Sequence, residues 1–401
     1  MSHSPLIIPI SASRMLERFA YYGMRSIVVL YMTQKLGMTN EQTYSVYGLL
    51  TAAVGLMSVF GGLLGDLAIG TRLSAIIGGF VEAAGILLLA IPGIIPVYLG
   101  LFLIAIGSGL YAPNLTSMIS FVYKEREDKL DSAMTILYVC INAGAFFAPL
   151  AIGYIGERVS YQLGFVIAGA ALMGAQLFLL LSPGLASGMP KGSNINLPDN
   201  APRKKAIPPA LVIVAVFFTM VLFWQLYEYV DSPIYDRLID ADSAFPYFSG
   251  MLQIFTTAPI IPFGIIMAIL FTFLRSSSFI KIFIGCILFI ISCLLLALSR
   301  SLPMASSWMF VVFAGTTIQG VSELFIAPTA LSVIGKYTSD RFRATIFGAY
   351  MAASSLIGFA LSAVFHIGYD APSWVIVPVT VGIMAIIAGI FLTFYLLSKK
   401  E

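Results

Sequence analysis

Residues 61–72 read Gly61-Gly62-Leu63-Leu64-Gly65-Asp66-Leu67-Ala68-Ile69-Gly70-Thr71-Arg72. This glycine-rich stretch, with one acid and one base, lies between two apolar runs at about 44–66 and 73–91. Glycines let two helices approach closely and turn tightly. We expect Asp66 and Arg72 to hold the turn by hydrogen bonds and charge, and to release it when the protein changes conformation. The alternative is an ordinary glycine-rich loop.

Apolar runs of this kind recur along the whole chain. Of its 401 residues, 59% are hydrophobic and 10% are charged, whereas soluble domains carry about 25% charged residues. A helix needs roughly 20 apolar residues to cross a bilayer core of about 30 Å. Twelve runs approach or exceed this length, at about 7–35, 44–66, 73–91, 95–118, 132–156, 161–182, 209–231, 246–274, 279–299, 306–335, 343–366 and 374–397. The sequence therefore predicts an all-α membrane protein with twelve transmembrane helices.

One long polar stretch divides the runs into two sets of six. It is rich in proline, glycine and basic residues, a composition typical of a linker. We predict an N-terminal six-helix bundle (1–182), a cytoplasmic linker (183–208) and a C-terminal six-helix bundle (209–401). The fourth run contains Ala112-Pro113-Asn114, and Ala327-Pro328-Thr329 recurs in the tenth. This similarity indicates two parallel repeats with a substrate cavity between them, near the bilayer midplane.

The loop charges predict the orientation. If both termini are cytoplasmic, only four basic loop residues fall outside: Lys35, Arg158, Arg237 and Arg300. The excess of positive charge inside supports this topology. We expect a multi-pass protein of the inner (plasma) membrane with both termini in the cytoplasm. The first run contains charged residues and no small-residue cleavage site after it, so we do not expect a signal peptide.

The first run carries an unusual number of charges. Helical spacing places five of its side chains along one face, with Glu17 beside them: Arg14, Arg18, Tyr21, Tyr22 and Arg25. Ionised groups within a span are costly unless they face a wet cavity or a partner. We therefore expect this face to line the central cavity. The alternative is an internally paired Glu17–Arg18 feature that serves packing only.

Three further acids lie within spans. Glu228 and Glu323 stand among aromatic or polar neighbours on the seventh and tenth runs, and each is a candidate for proton binding or substrate contact. Glu82 has apolar neighbours, and the sequence leaves it open between a cavity residue and a hydrogen-bonding group between helices.

Other chemistries have little support in the sequence. Cys140, Cys286 and Cys293 lie in apolar runs without metal-like spacing, and the only histidines are His3 and His366. An enzyme would need a nucleophile with a base, or a metal cluster, so we predict no enzymatic activity, no metal and no cofactor. A channel is less favoured than a carrier, because of the repeat and the paired charges within the spans.

Several motifs resemble one family. Glu17-Arg18-Phe19 and Tyr21-Tyr22-Gly23 resemble ExxERFxYYG, the first-helix motif of the proton-dependent oligopeptide transporter (POT) family of the major facilitator superfamily. The loop 61–72 resembles the cytoplasmic loop motif of that superfamily. Residues 137–144 are similar to the POT family's FYxxINxG motif. Residues 223–232 resemble its seventh helix, and residues 322–328 resemble its tenth.

The resemblance implies a major facilitator fold of two six-helix bundles and an alternating-access symporter driven by protons. In the family, five matching residues line the cavity: Arg18, Arg25, Asn142, Glu228 and Glu323. The arginine at the Arg25 position pairs there with the glutamate at the Glu228 position as a gate.

The sequence also departs from the family pattern. The first glutamate of the motif falls on Arg14, and the lysine of the fourth span falls on Ala112. A tyrosine that contacts peptide in the family falls on Gly55, and the glutamine after the seventh-span glutamate is Tyr229. The loss of both the glutamate and the lysine has a physical reason, because either charge alone would be left in the cavity without a partner of opposite charge. The helix pair that many bacterial members insert between the halves is also absent.

Together these observations predict proton-coupled symport of small peptides or peptide-like solutes. The alternative is import or export of a non-peptide solute, such as a carboxylate-bearing siderophore or another organic anion. In both cases a cationic first-span wall suits a carboxylate. We expect protons and lipid as further partners, no nucleic acid, and a monomer.

The predicted roles are as follows. Substrate binding is assigned to Arg14, Arg18, Tyr21, Tyr22, Asn142, Trp224 and Glu323. Proton coupling is assigned to Glu323, which lacks the family's lysine partner, and to Glu17. Gating is assigned to Arg25, Glu228, Asp66 and Arg72.

Overall fold

The computed structural model describes residues 3–189, 207–240, 258–274, 276–299, 301–303, 306–365 and 373–399. Within them, twelve long helices occur where the apolar runs predicted them. They are α1 (Ile7–Gln34), α2 (Asn40–Leu64), α3 (Thr71–Leu88), α4 (Ile94–Val122), α5 (Leu130–Ala148), α6 (Tyr161–Leu180), α7 (Pro209–Asp240), α8 (Ile260–Phe273), α9 (Ser278–Ser299), α10 (Ser306–Tyr337), α11 (Arg343–Phe365) and α12 (Ser373–Ser398). The predicted all-α class is confirmed. Most of the predicted linker (190–206), the start of the predicted eighth span (246–257), Arg300 and His366 lie outside the described residues.

The helices have the surface of a membrane protein. In the described part of the chain, nine helical segments are long and apolar enough to cross a bilayer. Large apolar side chains are widely exposed; Phe218, Phe273 and Phe310 are each more than 60% accessible. Such a surface would be an aggregation hazard in water and is the natural surface toward lipid. The chain is therefore a multi-pass membrane protein.

The stretch 61–72 forms the connection between α2 and α3. The start of α2 is fixed by a capping box, in which the Thr39 side chain accepts from the Gln42 backbone and the Gln42 side chain accepts from Thr39. At its other end α2 continues into a π-helical turn, Gly65–Ile69. Gly70 then reverses the chain with φ 86° and ψ 148°, a conformation that favours glycine, and α3 begins at Thr71.

By contact, the chain divides into two compact units. One comprises Met1–Arg203 together with Ile334–Phe359, and the other comprises Lys204–Val333 together with Ala360–Glu401. The end of α10 and most of α11 thus pack with the first six helices. The predicted domain boundaries at 182 and 209 remain a prediction.

In the first unit, α1 packs against α5 and α6, and α3 packs mainly against α4. Tyr31 of α1 contacts the rings of Tyr161 and Phe165 of α6, at centroid distances of 5.8 and 5.4 Å. In the second unit, α9 packs against α12. The first unit therefore holds α1, with its charged residues, between two other helices.

Candidate functional site

The charges of α1 converge on one carboxylate. Glu17 is fully buried and accepts hydrogen bonds from Arg14 Nη1 at 2.9 Å and from Arg18 Nε at 2.8 Å, with a further contact from Arg18 Nη2. The three residues are close because positions three or four apart share a helix face. Arg14 is 5% exposed, and the Arg18 side chain is 13% exposed. The pairing considered as an alternative is thus present and includes Arg14, and it leaves an excess of one positive charge on the triad.

Aromatic rings surround the arginines of this triad. Arg18 Cζ lies 4.7 Å from the ring centroid of Tyr21 and 5.7 Å from that of Tyr22. Arg14 Cζ lies 5.9 Å from the Tyr111 ring, and Tyr111 shares a 2.6 Å hydrogen bond with Ser13. Rings at these distances stabilise a cation and hold the guanidinium group in place. Tyr21 and Tyr22 thus contact Arg18, and their role in substrate binding stays a prediction.

Arg25 stands apart from the triad. It is exposed, and its Cζ lies 5.0 Å from the Tyr47 ring of α2 and 5.9 Å from the Tyr22 ring. Its predicted partner, Glu228, belongs to the second unit and is exposed on α7. The pairing of Arg25 with Glu228 stays a prediction.

The motif on α5 sets the distance between α5 and α1. A Cβ atom at Gly144 would overlap the Met15 carbonyl oxygen and would lie 3.2 Å from the Arg18 Cβ atom, so only glycine permits this approach. Asn142, half a helical turn before Gly144, is half-buried. Its amide nitrogen donates a hydrogen bond to the Tyr138 carbonyl oxygen at 3.0 Å. The role of Asn142 in solute binding stays a prediction.

Two of the positions that depart from the family pattern, Ala112 and Gly55, are closely packed. Ala112 is buried on α4, next to Tyr111. Gly55 is buried on α2 against α11, where a Cβ atom would lie 2.7 Å from the Ser355 Cβ atom. A tyrosine cannot occupy that position in this conformation. Gly55 is therefore a helix-packing residue.

Asp66 binds the start of α11. It is fully buried and accepts hydrogen bonds from Ala344 N at 3.3 Å, Thr345 N at 2.7 Å and Thr345 Oγ1 at 2.8 Å. A carboxylate at a helix N-terminus satisfies free N–H groups and the helix dipole. Arg72 donates to the Leu179 carbonyl oxygen at the end of α6, at 2.9 Å. The two predicted gating residues thus tie the loop to two different helices.

Ion pairs on the same face of the unit reinforce this contact. Asp340, just before α11, pairs with both Lys124 and Arg343, and Asp131 of α5 pairs with Lys336 of α10. These acids were not predicted as site residues. The signal in the sequence is that acidic and basic residues stand close together before α5 and again before α11.

The second unit carries the other predicted site residues. Trp224 on α7 is half-buried, with ring centroids 5.5 Å from Phe223 and 5.7 Å from Tyr227. Glu323 on α10 is 3% exposed. Their roles in binding and coupling stay predictions.

Glu82 is the residue that the sequence analysis left undecided. It is fully buried on α3 and lies within electrostatic range of Glu17, Arg18 and Arg14. The signal that could have identified it is the charge imbalance of α1, since two arginines paired with one glutamate leave one positive charge that a further acid or a solute carboxylate can neutralise.

Comparisons with known proteins agree with the motifs. Residues 74–198 match the sequence profile of the POT family. A di-/tripeptide transporter of Lactococcus lactis subsp. cremoris is 31% identical over 220 residues, which cover 53% of this chain and 44% of the relative. An uncharacterized transporter of Bacillus subtilis, YclF, is 32% identical over 222 residues, or 52% of this chain and 43% of the relative. The matched stretch thus spans less than half the length of either relative.

Solved structures extend the likeness to the whole fold. A peptide transporter POT in complex with sulfate superposes with a TM-score of 0.69 at 21% identity, covering 99% of this chain and 96% of the other. A POT family transporter in complex with a thioalcohol-conjugated peptide gives a TM-score of 0.70 at 18% identity, covering 97% and 95%. The predicted major facilitator fold and the predicted resemblance to the POT family are confirmed.

Proposed function

We propose, from the premise that this chain carries the POT family profile at residues 74–198 and the fold of solved POT transporters, that it is a secondary active transporter. It moves a small peptide or peptide-like solute together with protons, by alternating access. The observation that carries this proposal is the arginine–glutamate triad of α1, which places excess positive charge in a buried, aromatic-lined site. Such a site suits a carboxylate-bearing solute.

A second candidate is transport of a non-peptide carboxylate, such as a siderophore or another organic anion, in either direction. Gly55 supports it, because this position packs against Ser355 and has no room for the tyrosine that contacts peptide in the family. Ala112 and Arg14 support it as well, since both change the charge of the peptide site. A POT family structure in complex with 5-aminolevulinic acid has the same fold at 17% identity.

The remaining roles follow the same proposal. The solute is bound by Arg14 together with Arg18, Tyr21, Tyr22, Asn142, Trp224 and Glu323. Arg25 and Glu228 form a gate. Asp66 and Arg72 hold the loop between α2 and α3 in one conformation and release it in the other. We further propose a monomer in the inner membrane with both termini in the cytoplasm, and no enzymatic activity.

The decisive experiment is transport by purified protein in liposomes. Labelled di- and tripeptides are tested beside siderophores and organic acids, with and without an inward proton gradient. We expect a carboxylate-bearing solute to accumulate only with the gradient, and plain dipeptides to compete weakly. Competition by plain dipeptides at micromolar concentration would show that the site accepts peptides despite Gly55 and Ala112. No gradient-driven accumulation of any solute would contradict proton-coupled symport.

Glu323 is tested in the same system. Glu323→Gln should leave solute exchange measurable and abolish accumulation driven by the pH gradient. If this variant still concentrates the solute with an unchanged pH dependence, Glu323 does not carry the coupling proton.

A further inference from the structure

Glu82 is buried in α3 without a hydrogen bond. Its side chain is fully shielded, and neither carboxyl oxygen has a partner among the residues that the structure describes. The helix beside it is in direct contact, because a Cβ atom at Gly107 of α4 would lie 2.6 Å from both the Cα and the Cβ atom of Glu82. A carboxylate in such a place costs several kcal/mol unless it is neutralised.

The groups that act on Glu82 come mainly from α1. Glu17, Arg18 and Arg14 interact with it electrostatically, and so do the hydroxyl groups of Tyr21 and Tyr111. The helices packed against α3 add no charge of their own, since neither α4 nor α6 contains a charged residue. Asp66, on the turn before α3, is engaged with the start of α11.

One donor of the α1 triad is also unused. Arg14 Nη1 bonds to Glu17, whereas the buried Arg14 Nε has no acceptor within the described part of the chain. An ionised Glu82 would provide one. The unused acceptor and the unused donor therefore point to a second arrangement of the same cluster.

We propose that Glu82 is a proton-binding residue that controls the charge of the α1 triad. In this conformation it is a neutral carboxyl group and Arg14 binds Glu17. When the O–H bond of Glu82 breaks, its proton passes to water, and the new carboxylate accepts an N–H bond from Arg14, which keeps its own proton. The protonation of Glu82 proposed here does not depend on Glu323.

The coupling to a solute follows from the net charge. With Glu82 neutral, Arg14, Arg18 and Glu17 carry one excess positive charge, which a solute carboxylate can neutralise. With Glu82 ionised, the cluster is already neutral and the solute carboxylate is not needed. A proton on Glu82 and a carboxylate in the site therefore favour each other's binding. This step rests on the proposed function, whereas the protonation of Glu82 does not.

Infrared spectroscopy of the purified protein in lipid tests the protonation directly. We expect a band from a buried protonated carboxyl group at neutral pH that shifts slowly in heavy water. The band should be lost in Glu82→Gln and retained in Glu125→Gln, a matched change at an exposed acid in the loop after α4. A spectrum of Glu82→Gln that retains the full band would overturn the proposal. Failure of Glu82→Gln to fold would also overturn it, because an amide mimics a neutral carboxyl group.

Binding measurements test the coupling. Trialanine and citrate serve as probes, one a peptide and one a non-peptide carboxylate. Binding of either probe to the unaltered protein should weaken as the pH rises from 6 to 8, at least twofold more than binding of the same probe to Glu82→Gln. An equal pH dependence in both proteins would overturn the coupling. If neither probe binds or is transported, the proposed function is at fault, and the infrared result alone decides on Glu82.

Discussion

Replacing Glu17 by glutamine removes the carboxylate that Arg14 and Arg18 share. Three hydrogen bonds to a charged group are lost, among them those from Arg14 Nη1 at 2.9 Å and Arg18 Nε at 2.8 Å. Each such bond contributes about 1.5–3 kcal/mol, but the contributions do not add, and removing one partner of a buried ion pair costs about 3–5 kcal/mol. We expect Glu17→Gln to lower the free energy of unfolding by that amount.

Thermal unfolding in detergent measures this loss. Cys286 and Cys293 are buried and Cys140 is half-buried, so a thiol-reactive fluorophore reports their exposure as the protein unfolds. At about 2–4 °C per kcal/mol, the expected fall in the unfolding temperature is on the order of 10 °C. The matched control is Glu125→Gln, which removes an exposed carboxylate and should leave the unfolding temperature unchanged.

Two outcomes bear on the reasoning. If the unfolding temperature of Glu17→Gln falls no more than that of Glu125→Gln, the stabilising role of Glu17 is refuted, since the arginines would then be satisfied without it. The double variant Glu17→Gln with Glu82→Gln should lose more stability than the two single variants combined. In the single Glu17→Gln variant, Glu82 can ionise and neutralise Arg14, and the double variant removes this compensation.

Three further predictions concern other parts of the chain. Exchanging the charges of Arg25 and Glu228 together should restore part of the transport that either reversal alone abolishes; a double variant no better than the single ones would exclude a gating pair. Asp66→Asn should weaken the hydrogen bonds at the start of α11 by about 1–3 kcal/mol. Amide hydrogen exchange at residues 343–348 should therefore accelerate. Unchanged exchange there would show that the Asp66 contact does not control the opening of this helix end. Burial and, to a lesser extent, Lys129 lower the pKa of His3 below its usual value. The hydrogen bond between His3 and Tyr123 therefore stabilises the N-terminal segment fully above about pH 6.5, and this stabilisation is lost as the pH falls. Amide exchange of residues 4–8, corrected for intrinsic rates, should therefore increase at low pH in the unaltered protein and lose this dependence in His3→Gln; equal behaviour of the two would contradict it.

The bilayer explains why so much of the fold was predictable. A spanning helix must be long and apolar, so a helix occurs within each of the twelve predicted runs, although the start of the eighth run lies outside the described residues. The spacing of Arg14, Glu17 and Arg18 likewise predicted their common face, because it depends only on the helix repeat.

The contacts between helices were not predictable in the same way. Asp66 binds Thr345, a residue 279 positions away, and no local pattern encodes that partner. Gly55 was interpreted through the tyrosine it replaces, and its packing against Ser355 depends on where α11 lies. Glu82 has no motif around it, and its proximity to α1 depends on the rotation of α3. The roles assigned to the site residues remain predictions.

The contact between α2 and α11 has a mechanical consequence. A Cβ atom at Gly62 would overlap the Ala344 carbonyl oxygen, and one at Gly348 would overlap the Ser58 carbonyl oxygen, so the two helices touch through their main chains. At these two points one helix can shear along the other without first withdrawing a large side chain. The close approach of the two main chains also leaves no space for a side chain, so a single added methyl group would clash with the opposite helix. Alanine at Gly62 and Gly348 should therefore prevent α11 from sliding along α2.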